Sequence, residues 1–323
     1  MSAPVATIPR GAVGTRLGPA DAPLGPTAVP RPDVTVIVVT YNSRHHIAAC
    51  LDALGPALSR HAFETVVVDN ASSDGTPDLV RDVSPGVVLV ETGANLGFAR
   101  ANNLGLARAR GRHALVLNPD TVAAPGSLDA LVELLDADPW IGIVAPRLLN
   151  LDGSDQGTAR SFPTPAAALL GRRSPLTRLW PDNRWSRRYL VGLSHRDDEA
   201  FPVDWVSGAC LMIRRDLALG TGGFDESFFM YWEDADWCRR VKDRGFHVVC
   251  EPRARVLHDE GARRRPRPYQ VRAFHRSAYR YYAKHHLTGS RRTLRPIVYG
   301  ALMARAGLVL LAARARPPAE TAS

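Results

Sequence analysis

Val34-Thr35-Val36-Ile37-Val38-Val39-Thr40 is an unbroken run of β-branched residues. A strand with one wet face alternates apolar and polar side chains, and this one does not. It reads as a strand buried on both faces of a sheet. Thr65 to Asp69, Val87 to Val90, Ala114 to Leu117 and Ile141 to Ala145 have the same short apolar character. Helical spacing separates them. Ser43 is a candidate N-cap for a helix through about Leu58, with Ile47, Cys50, Leu51 and Leu54 on one face. Pro77 to Val83, Ala99 to Arg110 and Ser127 to Leu135 follow, the first with Pro near its start. Strands alternating with helices predict an α/β fold, with a mostly parallel central sheet flanked by helices and joined by right-handed crossovers. Such sheets bind ligands at the carboxyl ends of their strands.

Outside that core the chain changes character. Residues 1–32 are rich in Pro, Gly and Ala without periodicity and read as a disordered leader lacking the long apolar stretch of a secretory signal. Residues 150 to 200 carry many Pro, Arg and Trp and read as a loop excursion. Strand character returns at Ala209 to Ile213 and briefly at Val248 to Cys250. A helix is expected from Asp234 to Arg244, stopped by Gly245. The formal net charge is +9. Most of that excess lies late in the chain: after Glu260 the next acidic residue is Glu320, while arginine recurs from Arg263 to Arg316. The expected organisation is therefore a leader over 1–32, one α/β unit over 33–262 and a basic helical appendage over 263–323. The four cysteines, Cys50, Cys210, Cys238 and Cys250, lack metal-binding spacing and read as buried small hydrophobes.

The strand ends carry the chemistry. The first ends in Thr40-Tyr41-Asn42, the second in Asp69-Asn70-Ala71-Ser72-Ser73-Asp74, and the third leads to Asn95-Leu96-Gly97-Phe98-Ala99-Arg100, then Asn103. The fourth ends in Asn118-Pro119-Asp120. Singly, Asp69, Ser72 and Asp74 read as turn caps. Four polar strand ends in succession read as a binding crevice, in which Asp69 can accept from a pyrimidine imide N–H. A carboxylate at a strand end, Asp120, can hold a divalent metal, and the distant His258 can complete the site. The acidic pair Glu233-Asp234 at the start of a helix can take a proton, or can simply complement the helix dipole. Together these residues suit metal-assisted group transfer from a diphosphate donor. The aromatics Phe228, Phe229, Tyr231 and Trp232 suit a sugar or lipid cleft as well as they suit a core.

The same segments resemble family-2 glycosyltransferases of the Rossmann-like GT-A fold. V-T-V-I-V-V-T-Y-N, V-V-V-D-N-A-S-S-D-G, N-L-G-F-A-R-A-N-N and L-N-P-D-T resemble that family's nucleotide-sugar half, placed here at 33–122. G-A-C-L-M-I-R-R, G-G-F-D-E-S-F-F-M-Y-W-E-D-A-D-W-C-R-R and V-L-H-D-E-G resemble its acceptor half, placed at 123–262. The combination is most similar to the rhamnosyltransferase-like branch, over about residues 33 to 290. The resemblance implies an inverting transfer that needs Mg2+ or Mn2+. It makes Asp120 and His258 the metal ligands and Asp234 the base, with Glu233 second. It puts Thr40, Tyr41, Asn42, Asp69, Asn70, Asp74, Asn95, Gly97, Phe98, Arg100, Asn103 and Asn118 on the donor. Asn118 replaces the first carboxylate of the family's D-x-D motif: it offers an oxygen but no charge. The expected donor is a nucleoside-diphosphate sugar, best matched by dTDP-rhamnose with UDP-sugars as the alternative. The expected acceptor is a glycan or lipid-linked glycan of cell-envelope polysaccharide synthesis.

Other classes fit less well. Gly14-Thr15-Arg16-Leu17-Gly18-Pro19 resembles the glycine-rich loop of sugar-nucleotide pyrophosphorylases, but it follows no strand, and the chain's only lysines are Lys242 and Lys284. A dinucleotide dehydrogenase needs G-x-G-x-x-G where Thr40-Tyr41-Asn42 stands. A catalytically silent sugar-nucleotide or polysaccharide-binding protein would not require Asp120, Asp234 and His258 together. Pro296 to Ala313 is apolar but broken by Arg305, which predicts an interfacial helix and a peripheral location on the cytoplasmic face of the cell membrane. Arg263 to Arg267 lack an accompanying nucleic-acid recognition fold, so nucleic acid is not an expected partner.

Overall fold

β1 (Val34–Thr40) has no exposed side chain, as its sequence predicts. It pairs in parallel with β2 (Phe63–Asp69) on one side and β4 (His113–Leu117) on the other. β3 (Val88–Glu91) extends the sheet in parallel beyond β2. The crossovers run through α1 (Ile47–Asp52), α2 (Leu54–Ala57), α3 (Thr76–Val83) and α4 (Phe98–Leu106). The computed structural model describes residues 31–157, 159–163, 199–259 and 267–315. The expected leader up to residue 30, most of the Pro/Arg/Trp-rich excursion and the run Arg263–Arg265 lie outside these residues.

The second half completes a nine-stranded mixed sheet. β5 (Thr121–Ala123), α5 (Ser127–Ala137) and β6 (Ile141–Leu149) come first. β7 (Phe201–Val203), β8 (Cys210–Arg214) and α6 (Arg215–Gly220) follow. Then come α7 (Glu233–Lys242), β9 (His247–His258), α8 (Pro268–His285), a 3-10 turn at Gly289–Leu294, and α9 (Arg295–Ala315). β8 inserts antiparallel between β4 and β6, and β9 lies parallel to β6. Only β5, β7 and β8 run against the rest, so the sheet is mostly parallel. Alternate residues feed two cores. Val34, Val36, Val38, Leu115, Leu117, Cys210 and Met212 face α1, α2 and α5. Ile37, Ala114, Val116, Leu211 and Ile213 face α6 and α7. All four cysteines are free and buried.

Several boundaries differ from the sequence reading for identifiable reasons. Ser43 does not cap the first helix: its hydroxyl accepts from the Tyr41 N–H, and helix starts only at Ile47. The helix breaks at Ala53, just before Gly55-Pro56, where Pro56 cannot donate a backbone bond. β5 and β7 are three residues each, too short for a period to show. β9 spans 12 residues rather than three, because its outer half is polar on one side and apolar on the other while it pairs with β5 and β6.

Candidate active site

Parallel pairing aligns Thr40 with Asp69 and Asp69 with Glu91, so the polar strand ends meet at one edge. Asp69 is the hub. Its buried carboxylate accepts from Thr40 Oγ1 at 2.8 Å, Ser72 Oγ at 2.6 Å and the Ser72 N–H at 2.9 Å. Asn42 and Ala71 adopt left-handed backbone, with φ of 54° and 65°. Asn42 Oδ1 accepts from the Ser73 N–H at 2.8 Å, tying the first loop to the second. Asn70 ties the second to the third: its amide donates to Asn95 Oδ1 and Gly97 O and accepts from the Leu96 N–H. Asp74 is occupied by Thr76 and the Arg44 N–H. Burial raises its pKa, but these hydrogen bonds outweigh burial and hold it below the usual carboxylate range. Tyr41 is half exposed at the rim.

Gly97 is dictated by contact: a Cβ there would strike Phe229, whose carbonyl accepts the Phe98 N–H at 2.7 Å. Arg100 and Asn103 contact the chain around Phe224. Arg100 reaches Glu226 at 3.8 Å, and Asn103 binds both backbone groups of Phe224 and the Glu226 carboxylate. Asn103 thus fastens the Gly222–Glu226 turn to α4.

Antiparallel pairing of Thr121 with His258 carries Asp120 next to His258. His258 Nε2 lies 3.4 Å from Asp120 Oδ1 and 3.5 Å from the Asn118 amide nitrogen. Gln156 sets the imidazole. Its amide nitrogen donates to His258 O at 2.7 Å and Asn150 Oδ1 at 3.1 Å, so its oxygen, 2.9 Å from His258 Nδ1, accepts a hydrogen bond from the ring N–H. In the neutral ring Nε2 then carries a lone pair toward Asp120. Asp120 Oδ1 is buried without a hydrogen-bond partner. With the ring neutral, these two lone pairs repel, and a cation between them would remove the repulsion. Among the described residues no three His, Cys, Asp or Glu side chains gather as a metal cluster. The donor set is an oxygen and an imidazole nitrogen beside an amide, which fits a hard divalent ion.

Glu233 and Asp234 open α7 after two successive aromatics in left-handed backbone, Tyr231 and Trp232, each at φ 71°. Bulky residues rarely sit there, at about 1–3 kcal/mol each, and such strain clusters at functional sites. The Asp234 carboxylate accepts from the Gly208 N–H at 3.1 Å and the Ala235 N–H at 2.8 Å. Burial pushes its pKa up, against those two donors and the Arg160 charge. Glu233 is buried, with one oxygen unpartnered. Burial, reinforced by the adjacent Asp234, raises it well above the carboxylate range. A Cβ on Gly208 would stand 3.3 Å from the Phe98 ring and 3.5 Å from Asp234 Cβ. Phe98, from the third strand-end loop, and Asp234 therefore flank one glycine. Of the aromatics, Phe228 is core, Phe229 is 44% exposed, and Tyr231 and Trp232 pack against Phe274. Sequence reading missed Gln156 and Gly208. Gln156 sits in a segment without periodicity, and Gly208 acts through a backbone N–H that no residue type announces.

A parallel first half, an antiparallel β8 and polar loops at one sheet edge are the architecture of the GT-A fold. The chain belongs to glycosyl transferase family 2, whose profile matches residues 35–219. It is 34% identical over 288 residues to the N-acetylglucosaminyl-diphospho-decaprenol L-rhamnosyltransferase of Mycobacterium tuberculosis (strain ATCC 25618 / H37Rv), covering 85% of this chain and 92% of that protein. It is 26% identical over 220 residues to the low-salt glycan biosynthesis hexosyltransferase Agl10 of Haloferax volcanii, covering 67% and 64%. Among solved structures, the mannosyltransferase PcManGT of Pyrobaculum calidifontis, in complex with GDP-Man and Mn2+, superposes with a TM-score of 0.53 at 22% identity. That match covers 89% of this chain and 76% of that one. GalNAc-T7 with UDP, GalNAc and Mn2+ superposes with a TM-score of 0.52 at 16% identity, covering 70% and 44%.

Proposed function

We propose that this glycosyltransferase moves rhamnose from dTDP-rhamnose to a hydroxyl of a lipid-diphosphate-linked N-acetylglucosamine, with inversion at the anomeric carbon. The observation that carries the reading is the shared Gly208: the donor-side Phe98 and the carboxylate of Asp234 meet across it. The Mycobacterium relative's rhamnosyltransferase activity supports the sugar and the acceptor. Asp69, at the base of the crevice, supports a pyrimidine with an imide N–H, which thymine and uracil share. A UDP-sugar is therefore the second donor to test.

The chain's residues divide the work. Thr40, Tyr41, Asn42, Asp69, Asn70, Asp74, Asn95, Gly97 and Phe98 form the donor crevice, either directly or by fixing its three loops to one another. Arg100 and Asn103 belong to the same set and also hold the Gly222–Glu226 turn. Asp120 and His258 would hold a divalent cation, Mg2+ or Mn2+, beside Asn118. Bound there, it would supply positive charge for the departing diphosphate. Asp234 accepts the acceptor proton as the new oxygen–carbon bond forms and the bond from anomeric carbon to diphosphate oxygen breaks. Its raised pKa makes it a stronger base than a free carboxylate. Glu233, buried beside it in the chain, stays protonated over a wider pH range and leaves Asp234 as the single charge.

The acceptor's lipid tail requires approach to a membrane. α9 belongs to the one described segment, Gly289–Ala313, long and apolar enough to cross a bilayer. Its inner face packs Val298, Leu302 and Met303 on α8, and its outer face exposes Ile297, Leu308 and Leu311. Exposed Arg291 and Arg292 stand at its start. An apolar face edged with arginine suits the anionic leaflet from the cytoplasmic side, where each basic residue contributes about 1 kcal/mol. This reading is peripheral rather than spanning, since Arg305 interrupts the apolar stretch and Leu302 and Ala306 are already buried in the protein.

The test is a donor panel of dTDP-rhamnose, UDP-sugars and GDP-mannose. Nucleoside diphosphate release is followed with Mn2+, Mg2+ or EDTA, with and without a short-chain isoprenyl-diphosphate N-acetylglucosamine. Acceptor-dependent release from dTDP-rhamnose, abolished by EDTA, is expected. Tight donor binding without release would favour the catalytically silent reading.

A further inference from the structure

α8 lies beyond residue 262, in the region that sequence reading separates from the α/β unit, yet it grips α7 on both sides of Asp234. On the upstream side, Ser277 Oγ donates to Met230 O at 2.9 Å. The Trp232 ring lies 5.6 Å from Phe274, 5.3 Å from Tyr281 and 5.8 Å from Tyr282, and Tyr231 lies 5.7 Å from Phe274. The two left-handed aromatics that deliver the chain to Asp234 are thus held by one helix. On the downstream side stands Asp236, whose side chain is fully buried. Its Oδ1 accepts from His285 Nε2 at 2.7 Å and pairs with Lys284 Nζ at 2.7 Å, while Oδ2 accepts from Arg240 Nε at 2.8 Å. Lys284 also binds Asp225 at 2.6 Å. Arg240 donates onward to the carbonyls of Thr221 and Gly223. The acceptor-side turn and the first turn of α7 are therefore joined through α8.

Packing alone does not call for this arrangement. A buried carboxylate shared by three donors fixes direction as well as contact, because its two oxygens are committed to opposite partners. Asp234 precedes Asp236 by two residues, so a rotation of the first turn that freed Asp236 would swing Asp234 off the Gly208 N–H. We propose that α8 is a positioning element of the transfer reaction. Lys284 and His285, acting through Asp236, and Ser277, acting through Met230, hold the Asp234 carboxylate where the acceptor hydroxyl arrives. The proposal rests on Asp234 being the base.

The experiment uses the full chain, dTDP-rhamnose, Mn2+ and the short-chain acceptor, well below the melting temperature. Lys284→Met with His285→Leu removes both α8 partners of Asp236. Its expected signature is a loss of about 10- to 100-fold in kcat, the scale of a misplacement near 1 Å. Donor KM and dTDP affinity by calorimetry should stay within about twofold. Lys284→Arg with His285→Gln, which can still donate, is expected to recover most of the rate. Wild-type kcat in the disrupted pair, or equal changes in kcat and donor KM, would overturn the proposal. If that pair does not fold, Ser277→Ala removes a single hydroxyl: a kcat loss of about threefold or more at constant donor KM supports the proposal, and an unchanged kcat overturns it. Asp234→Asn, run alongside, separates the two ideas. Full activity in it removes the base reading itself, whereas an inactive Asp234→Asn beside unaffected α8 variants removes only the positioning role.

Discussion

Replacing Gln156 with Leu tests the ion site through a residue that never touches the ion. Gln156 is buried, accepts the His258 Nδ1 proton at 2.9 Å and donates to His258 O at 2.7 Å. Leucine fills the volume and leaves a ring N–H and a backbone carbonyl without those partners. Each orphaned group costs about 1–3 kcal/mol, so the fold should lose about 3 kcal/mol and melt about 5–10 °C earlier. Function should suffer separately. With no acceptor at Nδ1 the imidazole can turn and change tautomer, and such losses behind a ligand weaken ion binding about 10- to 100-fold. Free Mn2+ is read by electron paramagnetic resonance during titration, in the presence of dTDP, and the midpoint is compared with that of nucleoside diphosphate release. Gln156→Glu is the control, because it accepts the ring proton but cannot donate to His258 O. It should lose stability while keeping the Mn2+ midpoint within a few-fold. A Leu variant that melts early and yet keeps the wild-type Mn2+ midpoint would refute the argument that Gln156 aims His258 at the ion.

Three further outcomes are expected. Asp234→Asn should keep dTDP affinity and lose transfer by about 100-fold or more, and the acid limb of the wild-type kcat profile should lie above the ordinary carboxylate range because Asp234 is raised. Glu233 is also raised, so its burial favours the folded state at low pH and stops doing so as pH climbs from the unfolded value of 4.5 through the folded one. Thermal melts of Glu233→Gln should accordingly gain on wild type more at pH 8 than at pH 5. On α9, truncation after residue 290 would uncover Tyr282 and Leu287, so Ile297→Glu, Leu308→Glu and Leu311→Glu are the cleaner change. Together they should abolish co-sedimentation with anionic vesicles and leave dTDP affinity and melting unaffected. Unchanged vesicle binding would remove the membrane reading.

How much was legible follows from what each signal depends on. β1, β4 and β2 from Thr65 onward are buried on both faces, so they read as short, largely apolar runs, and the α/β class followed from them. Residue type likewise marked Asp69, Asp120, Asp234 and His258, since carboxylates and imidazoles at the ends of apolar runs are seldom needed for packing. Contacts across long stretches of chain were not legible. Gln156 reaches His258 across 102 residues, and Asp236 meets His285 across 49. Nothing local distinguishes a buried glutamine that sets a tautomer from one in a loop, or a helix that clamps the base from a basic appendage. Asn103 is similar. Its place in the polar strand-end series suggests the donor, and its contacts with Phe224 and Glu226 appear only in the fold. Burial pattern and side-chain chemistry are written along the chain; which two distant segments share a hydrogen bond depends on how the sheet twists and the helices pack, and only the tertiary structure decides it.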